Sequence, residues 1–205
     1  MTQAFLGSHG VSRETLARLK TFEALLRKWN PVINLVSRST LDDVWGRHFL
    51  DSAQLIDLAG SAWTSWADLG SGGGFPGLVV AILSAESRPD ARITLVESDR
   101  RKAAFLLTVA NEIGLKPQVI ADRAESIPPL SADVVSARAL APLEKLLPYA
   151  ERHLSPKGIA LFPKGANHQA ELHQALETWR FSYEATASVT GPAAVVYSIK
   201  GIARA

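Results

Sequence analysis

The chain has 205 residues, 47% of them hydrophobic, which suits one domain with a sizeable core and an accessory segment. It has no cysteine, which excludes disulfides, thiolate metal sites and a cysteine nucleophile. Its net charge of +2 is too small to establish a nucleic-acid partner by itself. No apolar run reaches the roughly 18 residues of a membrane span. Met1 to Gly10 lacks the charged-then-apolar pattern of a secretory leader, so a cytoplasmic protein without a membrane partner is expected.

Ser12 is a candidate N-cap for a first helix. Leu16, Leu19, Phe22, Leu26 and Trp29 then recur at spacings of three and four, one apolar stripe, and Pro31 is expected to end the helix. Ser39 with Asp42 has the spacing of a capping box for a second helix. Leu41, Val44, Trp45, His48, Phe49, Ser52, Leu55 and Ile56 would form its buried side, with Gly60 at its end. Residues 1–60 are therefore expected to be an N-terminal helical cap, and residues 61–205 the main unit. Residues 1–50 carry seven Lys/Arg against four acids. That excess is either an ordinary solvated helix face or an RNA-facing patch.

From Trp63 the pattern alternates. Trp63 to Leu69 reads as a strand, a burst of glycine follows, and Leu78 to Leu83 resumes as a helix. A strand, a glycine turn and a helix open a nucleotide-binding βαβ unit. The dinucleotide fingerprint would require glycine at position 75, which is Phe. The pattern is instead Asp68-x-Gly70-x-Gly72-x-Gly74. A pyrophosphate wants bare N–H groups and positive potential, and the Asp68 carboxylate works against that. S-adenosylmethionine carries an ammonium and a sulfonium, so the local charge favours it over NAD. The plain alternative is a glycine turn with no ligand.

Arg92–Glu97 is a second strand, Arg100–Ile113 a helix stopped by Gly114, Gln118–Ala121 a third strand and Asp133–Ala137 a fourth. Pro142 starts a helix reaching about Leu154. Pro156-Lys-Gly158 should turn the chain into a fifth strand, Ile159–Phe162. Residues 167–178 look helical, and Trp179–Ser188 and Val195–Lys200 read as strands around Gly191-Pro192. The expected class is α/β: a mostly parallel, Rossmann-like sheet with helices on both faces and a terminal antiparallel hairpin.

Ligands of such sheets bind at the strands' carboxyl ends. Glu97 follows the second strand, where a carboxylate can accept two ribose hydroxyls; otherwise it caps the next helix. Asp122-Arg-Ala-Glu125 follows the third and would flank an adenine, with Glu125 alternatively a solvated acid. Arg138 ends the fourth strand, an unusual place that demands an anionic or π partner. Lys164 follows the fifth. The fourth-strand end, Ser-Ala-Arg-Ala, lacks the Asn/Asp-Pro-Pro-aromatic run of adenine amine methylation, and pyrimidine C5 methylation would need a cysteine. His168 and His173 lack an evident third ligand, so no metal is expected.

Five stretches together resemble one family: Asn34-Leu35, Arg47-His-Phe-Leu-Asp-Ser52, Asp68-Leu-Gly-Ser-Gly-Gly-Gly-Phe-Pro-Gly77, Asp122-Arg-Ala-Glu125 and Ser136-Ala-Arg-Ala139. They occur in the order seen in the bacterial small-subunit rRNA guanine-N7 methyltransferases, the glucose-inhibited division protein B family. The resemblance covers nearly the whole chain. It implies a class I methyltransferase fold, S-adenosylmethionine as donor, and methylation of a guanine N7 of 16S rRNA near the decoding site. It places Gly70, Phe75, Ala124, Glu125 and Arg138 at the cofactor, beside Asp68, Gly72 and Glu97 from the reading above. Glu97 stands where many members have Asp, and Gly73 where others often have Ala or Pro.

Guanine N7 has an in-plane lone pair and no proton at neutral pH, so no general base is expected; alignment of nitrogen, methyl and sulfur is what the reaction needs. Arg47, His48, Arg123 and Lys164 are the RNA-side candidates, His48 being as readily a satisfied core histidine. Arg138 and Lys164 could meet phosphate, guanine O6 or the donor's carboxylate. The expected partner is 16S rRNA or the small ribosomal subunit, met by a monomer. Two alternatives stay open: a methyltransferase of another RNA, a protein or a small molecule, and a Rossmann-type binding protein that is not an enzyme.

Overall fold

The computed structural model of the chain describes residues 11–205. Met1 to Gly10, the stretch lacking a leader pattern, lies outside them. Helix α1 (Arg13–Ile33) starts as expected, with the Ser12 side chain accepting from the Thr15 N–H. It does not stop at Pro31, which sits inside its last turn. The stop comes at Asn34, in the left-handed conformation with φ 45°, whose N–H reaches Asn30 O. Asn30 secures this exit, because its Oδ1 accepts from the N–H groups of Leu35 and Val36, both at 2.8 Å.

The Ser39/Asp42 box is not what starts the second helical stretch. A 3₁₀ turn (Arg38–Asp43), a π turn (Trp45–Leu50) and helix α2 (Asp51–Ala59) run on in succession. Asp43 Oδ1 accepts from Gly46 N at 3.1 Å instead. A Cβ at Gly46 would lie 2.5 Å from Asp43 Oδ2, so a side chain there would push the Asp43 carboxylate off this bond. Gly60 ends α2.

The remaining elements alternate. They are β1 (Ser65–Leu69), α3 (Gly77–Ser84), β2 (Arg92–Val96), α4 (Arg100–Glu112), β3 (Gln118–Ile120) and β4 (Ala132–Ser136). Then come α5 (Leu143–His153), β5 (Leu154–Lys164), α6 (His168–Thr178), β6 (Trp179–Ala187) and β7 (Val195–Arg204). The sheet order is β3-β2-β1-β4-β5-β7-β6. Pairing is parallel from β3 through β5, and β7 runs antiparallel to both β5 and β6, as the expected hairpin requires. Pro156-Lys-Gly158 is not a turn before β5. It lies within the strand, where the register against β4 jumps from Ala132↔Leu154 to Val134↔Ile159. A bulge tolerates a proline that a regular ladder would not.

Strand side chains alternate between two cores. Trp66, Leu95, Val134 and Leu161 face a cluster that includes Leu19, Phe22 and Leu26 of α1, Leu78 of α3 and Phe105 of α4. Ala67, Val96, Val135 and Phe162 face Leu143 and Leu147 of α5 and Ala175 of α6. The N-terminal helix therefore shares its core with the helices on one face of the sheet. Among the described residues no helix is long and apolar enough to cross a membrane.

Candidate active site

The glycine loop after β1 is built on Asp68. This carboxylate is fully buried; its Oδ1 accepts from Ser136 Oγ at 2.7 Å and its Oδ2 from Gly77 N at 3.1 Å. Ser136 Oγ in turn accepts from Trp66 Nε1 at 2.8 Å, so one chain of bonds joins β1, β4 and the start of α3. Burial pushes the Asp68 pKa up to about 6, against the pull of those hydrogen bonds. Asp68 lies beneath the loop without exposed surface. Above it, Gly70, Gly72 and Gly74 take φ values of 69°, 53° and 92°. The N–H groups of Gly70 and Ser71 both bond Val96 O, which ties the loop to the end of β2.

Glu97 does not cap α4. Asp99 does, accepting from the N–H groups of Arg101 and Lys102. Glu97 instead accepts from Gly72 N through Oε2 and from Asp99 N through Oε1, both at 2.8 Å. Each of its oxygens keeps a second lone pair for a hydroxyl donor. After β3, Ala124 is buried and its carbonyl accepts from His153 Nε2 at 2.8 Å. Arg152 donates twice to Ile127 O, so the end of α5 holds this loop by two adjacent residues that the sequence reading did not single out. Glu125 is exposed, 3.6 Å from the still more exposed Arg123.

Arg138 finds both partners that its place demanded. Its Nη1 pairs with Asp51 Oδ2 at 3.1 Å and bonds Arg47 O at 3.2 Å. Its guanidinium carbon lies 5.1 Å from the Phe75 ring centroid. Nη2 donates to His48 Nδ1 at 2.8 Å, so the other nitrogen, Nε2, carries the proton toward Thr40 Oγ1, also 2.8 Å away. Burial, then the charges of Arg138 and Arg47, lower the His48 pKa to about 3. His48 is thus the satisfied, buried histidine, stacked on Phe75 with centroids 4.8 Å apart. Phe75 is itself buried, packed on Phe22 and Phe49.

Lys164, one of the RNA-side candidates, is locked. Its side chain is 7% exposed, pairs with Glu171 Oε2 at 2.8 Å and donates to Ala141 O at 2.7 Å. Of the four RNA-side candidates, Arg47 and Arg123 are exposed, whereas His48 and Lys164 are engaged inside.

A cavity of about 770 Å³ opens beside this network, lined from three sides by Ser37 and Thr40, by Arg138 and Leu140, and by Ser188 and Thr190. Leu140 packs on the glycine loop: a Cβ built on Gly70 would lie 2.6 Å from its Cδ1. It is preceded by Ala139 at φ 54°, a conformation costly for a residue with a Cβ and concentrated at functional sites. A second cavity, about 430 Å³, lies at the strands' amino ends beside Ser65, Arg92 and Gln118. The rule for open α/β sheets selects the first. The roles of Asp51, Leu140, Thr190 and His153 were invisible in the sequence; Asp51 alone carried a signal, as part of the Arg47–Ser52 stretch.

Residues 15–195 match the family described as rRNA small subunit methyltransferase G. A protein of that name from a Ruegeria species is 55% identical over 194 residues, 95% of this chain and 94% of its own. Another, from Cereibacter sphaeroides, is 50% identical over 203 residues, 99% of this chain and 98% of its own. A solved SAM-dependent methyltransferase from Aquifex aeolicus gives a TM-score of 0.59 over 87% of this chain and 98% of its own. At 15% identity that likeness speaks for the fold alone, which is the class I methyltransferase fold. With the family pattern matched over most of its length and half or more of its residues shared with such relatives, the chain belongs to the rRNA small subunit methyltransferase G family.

Proposed function

We propose that this enzyme transfers a methyl group from S-adenosylmethionine to N7 of a guanine of 16S rRNA, near the decoding site. The observation that carries the reading is the shared wall. Leu140 touches the glycine loop on one side and lines the 770 Å³ cavity on the other, so a base in that cavity adjoins whatever lies over the loop. The residues fit the cofactor. Glu97 retains lone pairs for ribose hydroxyls, the loop after β3 supplies Ala124 and Glu125 for the adenine side, and Asp68 is ionised at neutral pH beneath the cationic end. Gly70 and Gly72 let the backbone come close to the ligand. When bound, S-adenosylmethionine supplies an electrophilic methyl on a sulfonium.

The protein's part is to align the base and exclude water. No side chain need remove a proton, because the N7 lone pair is free. Arg138 lines the cavity and lies over the ring of Phe75, which follows the glycine loop. Arg138 is tied to Asp51, which keeps its charge from opposing the positive charge that develops on the methylated guanine. One chain supplies every residue named, so a monomer suffices, and with rRNA or the small subunit as substrate the reaction belongs to the cytoplasm.

The test is transfer of labelled methyl onto 16S rRNA, naked and within small subunits, followed by borohydride and aniline cleavage, which cuts at N7-methylguanosine. Cleavage at a single labelled guanine is expected. Label on an exocyclic amine, a ribose or a protein would defeat the reading.

A further inference from the structure

Asp51 opens α2 and is 9% exposed. Its Oδ2 takes the Arg138 guanidinium. Its Oδ1 accepts from Gln54 Nε2 at 3.0 Å, from Thr190 Oγ1 at 2.9 Å and from Ser188 Oγ at 3.4 Å. Ser188 and Thr190 belong to the turn between β6 and β7, 137 and 139 residues away in sequence. Gln54 doubles the tie: its Oε1 accepts from Val189 N at 3.2 Å and its Nε2 donates to Ser188 Oγ at 3.3 Å. One carboxylate therefore joins the N-terminal helical segment, the end of β4 and the tip of the edge hairpin. Two of these, Arg138 and the hairpin tip, line the same cavity.

Stability alone is a poor reason for such a junction. Burying a carboxylate and a guanidinium costs desolvation that their attraction scarcely offsets, and apolar contact would fasten a hairpin tip better. What a polar hub gives is a fixed geometry among its partners. The cavity that Arg138 and the hairpin tip line also carries the hydroxyls of Ser37 and Thr40, with Arg47 at the rim, a lining suited to the ribose and phosphate of a nucleotide.

We infer that Asp51 is a positioning residue for the RNA acceptor: it holds the turn of residues 188–194 against Arg138, so that this turn forms the wall on which the target nucleotide is received. The inference rests on the RNA reading above. Thr190→Val tests it, replacing one hydroxyl by a methyl of equal size and removing one bond to Asp51, while Thr190→Ser keeps the bond. Thr190→Val should raise KM for the 16S substrate on the order of tenfold, as for loss of a hydrogen bond to a charged group. Its S-adenosylmethionine Kd by calorimetry should stay at the wild-type value, and Thr190→Ser should restore the wild-type KM. Ser188→Ala, which removes the bond to the same oxygen and the hydroxyl that accepts from Gln54 Nε2 and Thr190 N, should move KM the same way, and serves if Thr190→Val folds poorly. A wild-type KM in both Thr190→Val and Ser188→Ala would overturn the inference. So would equal losses of RNA and S-adenosylmethionine affinity, which mark a general loosening. Failure of the wild type to methylate any RNA would instead sink the RNA reading itself.

Discussion

His48 titrates far below neutral pH, at about 3 against an ordinary 6.5, because burial strips water from its ring and two arginines add positive charge beside it. The sign of the consequence follows from where the proton sits. Between pH 6.5 and about 3 the unfolded ring is protonated and the folded ring is not, so His48 favours folding fully above 6.5 and progressively less as the pH falls. Asp68 runs the other way. Its folded carboxyl keeps a proton up to about 6 and its unfolded one only to about 3.8, so its contribution is complete below 3.8 and lost as the pH rises through about 6. The two slopes oppose each other in the window they share. In His48→Gln the His48 slope is gone, while those of Asp68 and of the likewise depressed His153 remain in both proteins and cancel in the difference. The stability advantage of the wild type over that variant should therefore widen from about pH 4 to about pH 6.5 and stay constant above, in denaturant titrations. A constant gap across the window would mean that the folded and unfolded rings titrate alike.

At the scale of elements, Gly77 shows why the glycine run is longer than a turn needs. It opens α3 directly over β1 and β2, and a Cβ there would lie 2.3 Å from Leu95 Cδ2 and 2.7 Å from both Asp68 Cβ and Oδ2. Gly77→Ala would gain up to about 1 kcal/mol of helix propensity. It would lose about 1–3 kcal/mol to overpacking against a strand that cannot retreat. The net loss should appear as a lower denaturant midpoint, and a raised midpoint would refute the packing argument. Gly73→Ala should cost less, because its nearest obstacle, Leu35 O at 3.0 Å, lies on the Asn34–Leu35 connection rather than in the sheet. The contrast bears on what the sequence disclosed. The strands and helices after Trp63 were legible because each carries its own periodicity and stop signal, and Glu97 and Arg138 were legible as charges at strand ends. Pro31, Ser39 and Pro156 misled, because a proline in a last turn, a hydroxyl near an acid and a proline in a bulge look locally like a stop, a cap and a turn. The Asp51–Thr190 bond had no local signature at all, since it joins residues 139 apart.

Across the whole molecule, the charge that RNA meets is set by which cations are already engaged. In α1, Arg18 and Arg27 pair with Glu14 and Glu23 one turn away, and Arg18 also donates to Ile113 O. At the strands' carboxyl ends, Arg138 and Lys164 are held by Asp51 and Glu171, whereas Arg47 and Arg123 are exposed. Phosphate binding releases counterions, so RNA affinity should fall steeply with salt, and each cation that touches a phosphate should contribute about one unit of charge to that slope. Arg47→Ala and Arg123→Ala should each make the slope shallower by roughly one phosphate contact. Lys164→Ala should leave the slope as it is. Its Nζ faces Glu171 and Ala141 O, and Glu171 also accepts the Leu143 N–H at the start of α5, so the variant should lower the melting midpoint instead. Measuring affinity against salt for the three variants at one temperature, beside their melting curves, separates the two roles. A slope in Lys164→Ala reduced as much as in Arg123→Ala would show that Lys164 leaves Glu171 for the RNA when the substrate binds.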